Sequence, residues 1–124
     1  MFKKIFLFST ILKNDLFINK KHTFLKNNKI YSLILNILWD NGLILSYKLY
    51  KKKLKILLKY INFKSVISNI KPILKSNKIL FFSLKQIFKL NQNFIYIFLT
   101  NYGFKSSLNC KNLNIGGKLI LIII

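Results

Sequence analysis

Few side chains in this sequence can do acid–base or metal chemistry. There are two carboxylates, Asp15 and Asp40, one imidazole, His22, and one thiol, Cys110, each standing apart from the others. General acid–base catalysis needs a matched pair, a metal cage several converging ligands, and a nucleophile an oriented base. None of these spacings is present, so no enzyme, metal site, cofactor or small-molecule substrate is expected. Lysine is what the chain has in quantity. All 22 basic residues are Lys, and the formal net charge is +20. Ammonium groups in that number attract phosphates at long range and with little regard to sequence. A compact chain so charged repels itself and calls for a polyanionic partner.

The rest of the composition says what holds these lysines. At 52% hydrophobic and 15% aromatic, the chain is too apolar for the disorder common in basic tails. Burial at roughly 25 cal/mol per Å² offsets its ordering entropy. Arg, Glu and Ala are absent while Lys, Asn, Ile and Phe abound, a bias that follows codon AT content. It points to an extremely AT-rich genome, a mitochondrion before a plastid or apicoplast. One cysteine allows no internal disulfide. The mean hydropathy of +0.35 raises the question of a membrane span, which needs about 20 apolar residues. The longest Lys-free run, Ile30 to Tyr47, is broken by Asn36, Asp40, Asn41 and Gly42, so insertion is not expected. The opening MFKKIFLF imitates a signal peptide, but its apolar patch is short and no small-residue cleavage site follows.

Periodicity predicts the elements. Phe2 to Lys13 reads as a helix with apolar positions Phe2, Ile5, Phe6, Phe8, Ile11 and Leu12, stopped by Asn14-Asp15. A short strand at Thr23–Leu25 follows. Lys29 to Asn41 is the clearest helix, with Ile30, Leu33, Ile34, Ile37 and Leu38 as its apolar stripe, Asn28 as cap and Gly42 as terminator. Leu43–Leu49 and Lys53–Ile61 form a hairpin around Tyr50-Lys51-Lys52. In its second strand Leu54, Ile56, Leu58 and Tyr60 share one face, and Lys53, Lys55 and Lys59 the other. A short helix is expected at Ser65–Ile70, and Pro72 marks a joint between halves. Then comes a strand at Ile79–Phe82. A capping box at Ser83–Gln86 opens a short helix to about Leu90. Phe94–Leu99 is a strand, Thr100–Gly103 a loop, Ser106–Leu113 a turn or short helix, Asn114–Gly117 a turn, and Lys118–Ile124 the last strand. The expected architecture is α+β in two small lobes. The first, residues 1–70, runs α-β-α-β-β; the second, 71–124, is mainly antiparallel β with a short helix.

This order of signals resembles the bacterial-type small-subunit ribosomal protein eight family. The resemblance rests on ILNILWDNGLI (Ile34–Ile44), LKILLKY (Leu54–Tyr60), VISNIKPILKSNKILFF (Val66–Phe82), LTNYG (Leu99–Gly103) and NIGGKLILIII (Asn114–Ile124). TILKN (Thr10–Asn14) falls on the family's N-terminal contact segment. No single motif is diagnostic; their concatenation is. It implies a non-catalytic protein that clamps a helix of the central domain of small-subunit ribosomal RNA, among neighbouring small-subunit ribosomal proteins.

The residues then expected at RNA are Thr10, Lys13 and Asn14, the loop Thr100, Asn101, Tyr102 and Gly103, and Lys111, Gly116, Gly117 and Lys118. Lys53 and Lys55 join them as part of the cationic cluster Lys51–Lys53, Lys55 and Lys59. Hydroxyl, amide and backbone groups suit sugar edges, and lysines suit phosphates. Gly116-Gly117 serves either a close approach, by RNA or by another backbone, or simply a turn. The family's signature loop is altered: Leu99 and Asn101 stand where it has Ser, and Tyr102 where it has Lys. Lys118 replaces a usual acid. Ser76-Asn77 stands where the family has a Pro-Gly turn, and the resemblance implies a turn there. Cys110 is expected as a packed thiol, His22 as a surface imidazole and Trp39 as a packing residue. The rival reading is a basic amphipathic protein lying on an organellar membrane surface.

Overall fold

Ile5, Phe8, Leu12 and Leu16 recur at helical spacing. In the computed structural model, which describes residues 2–73 and 81–124, they are the buried stripe of helix α1 (Phe2–Phe17). The helix runs past Asn14-Asp15 because Leu16 still has core to enter. Phe6, counted on the apolar face, is 50% exposed. Helix α2 (Lys29–Asp40) is capped by Asn28, whose Oδ1 accepts from the Ile30 N–H at 3.0 Å. Its buried positions are Tyr31, Ile34, Leu35, Ile37 and Leu38, whereas Leu33 is 37% exposed. The stripe is therefore rotated from the expected one. Tyr31 causes this by packing its ring on Phe8 of α1, centroids 5.6 Å apart.

Three antiparallel strands, β1 (His22–Lys26), β2 (Ile44–Tyr50) and β3 (Lys53–Leu58), form a sheet in the order β1-β3-β2. Leu54, Ile56 and Leu58 point into the core, with Thr23, Leu25 and Ile44 beside them. Lys51 and Lys52 make the β2–β3 turn with φ of +47° and +66°, the primed geometry that fits strand twist. Lys59 does not join Lys53 and Lys55: its ammonium donates to the Gly42 carbonyl at 3.1 Å, beyond the α2 C-terminus, where a cation is favoured. The strand ends at Leu58, and Tyr60–Ile61 (β4) pairs with Lys64–Ser65 (β5). No helix forms at Ser65–Ile70. Ser65 is in a strand, and its hydroxyl donates to the Ile67 carbonyl at 2.8 Å, holding the chain extended.

The chain divides into two units, Met1–Asn69 and Ile70–Ile124. The second contains β6 (Ile70–Pro72), β7 (Phe81–Phe82), helix α3 (Leu84–Phe88), β8 (Ile95–Thr100), β9 (Gly103–Ser106), helix α4 (Ser107–Leu113) and β10 (Gly117–Ile123). The strand order is β6-β10-β8-β9, with β7 also on β10. The unbroken apolar run of β10 suits a central strand buried on both faces. Pro72 lies within edge strand β6 at the very start of the second unit, and its missing N–H is tolerated at an edge. The Ser76-Asn77 turn and the start of the Ile79–Phe82 strand lie outside the described residues. The capping box is formed: Ser83 Oγ accepts from the Gln86 N–H, and Gln86 Oε1 from the Ser83 N–H. The second unit thus has two short helices among its described residues, not one, and α3 stops at Phe88. Ile87 of α3 and Cys110 of α4 pack with Tyr96, Phe98 and Leu119 on one face of the sheet.

Candidate nucleic-acid interface

The chain reverses between β8 and β9 through Asn101 and Tyr102. The Thr100 hydroxyl holds this turn, donating to the Gly103 carbonyl at 2.9 Å and accepting from the Tyr102 N–H at 3.1 Å. Its proton is thus spent inside the protein, so Thr100 shapes the turn and has only acceptor capacity left. Gly103 has φ of +97° with open space where a Cβ would stand, a backbone region that glycine alone enters freely. Asn101 and Tyr102 remain as the tip, both exposed, Tyr102 at 70%.

Gly116, Gly117 and Lys118 stand at the same end of this sheet. Lys118 pairs with Leu99, and a Cβ on Gly117 would lie 2.8 Å from Thr100 Cγ2. A Cβ on Gly116 would lie 2.6 Å from the Phe82 carbonyl oxygen. Both glycines are approached closely by protein, Gly116 by backbone and Gly117 first by side chains, and Gly117 is buried. The pair therefore acts by letting β10 start against β7 and against Thr100. Lys118 is half-buried at the mouth of this arrangement. Lys111 stands elsewhere in the unit, on α4, with its ammonium 5.4 Å from the Phe88 ring of α3.

In the first unit, Thr10, Lys13 and Asn14 lie together on the solvent face of α1, three and four residues apart. The Thr10 hydroxyl donates back to the Phe6 carbonyl at 2.9 Å, so Lys13 and Asn14 are the outward-reaching pair. Lys53 and Lys55 lie on the outer face of the β1-β3-β2 sheet. Register adds Lys26 opposite Lys53 and Lys48 opposite Lys55, with Tyr50 on the other side of Lys53 and Phe24 on the other side of Lys55. The expected cluster, Lys51–Lys53, Lys55 and Lys59, left out Lys26 and Lys48; the alternation in HTFLK and SYKLY was the signal for these two.

Little opposes this positive charge. Asp15 is paired with Lys20 at 3.5 Å, and its charge helps burial hold the Tyr60 phenol above its ordinary pKa. Burial pushes the Cys110 thiol up, with Lys105 pulling weakly the other way; the thiol belongs to the core. Trp39, 47% exposed, packs edge-on against Tyr47 at 5.7 Å.

Known proteins match this sequence over nearly its whole length. The profile of the family described as Ribosomal protein S8 matches residues 6–124, spanning both units. The small ribosomal subunit protein uS8 of Buchnera aphidicola subsp. Cinara cedri (strain Cc) is 30% identical over 118 residues, which cover 92% of this chain and 91% of that protein. A family match that spans both units, with a relative 30% identical over nearly all of both chains, places the α+β fold described above: this chain belongs to the ribosomal protein S8 family.

Proposed function

We propose that this protein is a non-catalytic constituent of the small ribosomal subunit that binds a helix of the central domain of its ribosomal RNA, beside neighbouring small-subunit proteins. The observation that carries the reading is the end of the second unit. There an exposed Asn101-Tyr102 tip, held rigid by Thr100, stands beside Lys118 on a backbone fixed by two glycines. An amide and a phenol on a fixed turn suit the 2′-hydroxyls and base edges of a shallow groove. Lys13, Lys53, Lys55, Lys111 and Lys118 supply attraction to phosphates, which positions without specifying. The test compares the cognate central-domain helix with a random duplex of equal length. Asn101→Ala with Tyr102→Ala should weaken the cognate helix by about tenfold, as expected for one or two lost hydrogen bonds, and the random duplex hardly at all. Lys53→Gln with Lys55→Gln should weaken both alike. If the tip variant lost both targets equally, specificity would lie outside the turn.

The AT-driven composition supports an organellar gene, mitochondrial before plastid, and fractionation of cells expressing a tagged chain would test it. The membrane-surface reading loses its main support. Ile5, Phe8, Leu12 and Leu16 of α1, which that reading would lay on lipid, are buried in the first unit.

A further inference from the structure

The outer face of the β1-β3-β2 sheet is arranged at a cost. Lys26 is directly opposite Lys53, and Lys48 directly opposite Lys55. Like charges in such pairs destabilise a sheet. The remaining positions of this face are His22, Phe24, Ser46, Tyr50 and Leu57, so it holds no carboxylate to relieve them. The turn beside it adds to the cost, because Lys51 and Lys52 both hold left-handed backbone. Asn tolerates that conformation better and has equally AT-rich codons, so mutational bias does not account for lysine there.

The aromatic residues point to what relieves this cost. Phe24 and Tyr50 are 42% and 44% exposed on a face where solvent would favour polar side chains. With Lys51 and Lys53 they line a concavity of about 300 Å³. The Lys51 and Lys55 ammoniums lie 5.4 and 5.6 Å from the Tyr50 ring centre, so phosphate-binding groups stand beside a stacking surface. Rings interleaved with lysines on an open sheet match an unpaired nucleotide strand, whose bases stack while its phosphates are neutralised. A duplex hides its base faces and cannot use the rings.

We propose that this face is a second RNA site, for an unpaired stretch, with bases stacked on Phe24 and Tyr50 and phosphates held by Lys26, Lys48, Lys53 and Lys55. It goes beyond duplex recognition by the Asn101-Tyr102 tip and does not depend on it. The full chain is titrated with a short fluorescent oligouridylate, an RNA duplex of equal charge, and polyglutamate. Phe24→Leu with Tyr50→Leu keeps apolar bulk and removes the rings. It should weaken oligouridylate by about tenfold and leave duplex and polyglutamate unchanged, while Phe24→Tyr with Tyr50→Phe binds like the native chain. Lys48→Gln with Lys55→Gln should raise the melting midpoint, by removing a repulsive pair, and still weaken oligouridylate. The Asn101→Ala, Tyr102→Ala variant should show the reverse selectivity, losing the cognate helix and keeping oligouridylate. Equal losses of oligouridylate and polyglutamate in the leucine variant, or no loss of either, would overturn the proposal. So would a lysine variant that gains no stability and binds oligouridylate as before.

Discussion

Replacing Gly117 by Ala tests whether the glycine pair and the Asn101-Tyr102 turn are one mechanical unit. The new Cβ would stand 2.8 Å from Thr100 Cγ2, 3.1 Å from Phe98 Cβ and 3.2 Å from the Leu99 carbonyl oxygen. Thr100 cannot simply rotate away, because its hydroxyl is held by the Gly103 carbonyl and the Tyr102 N–H. Overpacking by one methyl at such a site costs about 1–3 kcal/mol. Thr100→Ser deletes the methyl that clashes and keeps the hydroxyl, losing less than the roughly 0.8 kcal/mol of a fully buried CH₂. In the double variant the 2.8 Å contact is gone but the Phe98 and Leu99 contacts remain. Recovery should be partial, with a coupling of about 1 kcal/mol. Thermal and urea denaturation of the native chain, the two single variants and the double variant measure this directly, at several degrees of midpoint per kcal/mol. Effects that add to within about 0.5 kcal/mol would refute the idea that β10 begins where it does because of Thr100.

Other consequences are open to simple measurements. Leu35→Asp should unfold the first unit by burying a charge, whereas Leu33→Asp, at a position 37% exposed, should be tolerated; circular dichroism showing the opposite would mean α2 is rotated otherwise. Burial raises the Cys110 thiol pKa, so the folded chain stays protonated where the unfolded chain ionises. The stability this contributes is full below the unfolded value and falls as pH rises above it. Native protein should accordingly resist thiol reagents at mildly alkaline pH, and Cys110→Ala should flatten the alkaline decline; rapid native labelling would contradict both. Affinity for structured RNA should fall steeply with salt as counterions are released from several phosphates, and a flat response would argue against lysine–phosphate binding.

Local chemistry was the legible part of the fold. Asn28 as a cap, the Ser83–Gln86 capping box and the Leu54-Ile56-Leu58 face each depend on a few adjacent residues, and each forms as expected. Contacts between distant residues were not legible. The phase of α2 is set by Tyr31 meeting Phe8, so the apolar Leu33 gave way to Leu35. Lys59 left the cationic face for the Gly42 carbonyl, a partner no alternation pattern reveals. Strand β9 was hidden because Gly103–Ser106 (GFKS) has little strand character of its own and pairs because the turn brings it onto β8. The same division holds for the candidate site. The turn and the glycine pair stood out through the family resemblance, but the protein neighbours that crowd Gly116 and Gly117, and the internal use of the Thr100 hydroxyl, needed three dimensions. The lysines of β3 were visible, while their partners on β1 and β2 required the register.

Sedimentation of a tagged full-length chain from lysed native cells tests the central claim most directly. Small-subunit ribosomal RNA binding predicts that the protein travels with the small subunit through a sucrose gradient, is released by high salt, and is unaffected by mild detergent. Recovery with membranes, released by detergent, or free at the top of the gradient at low salt, would contradict it.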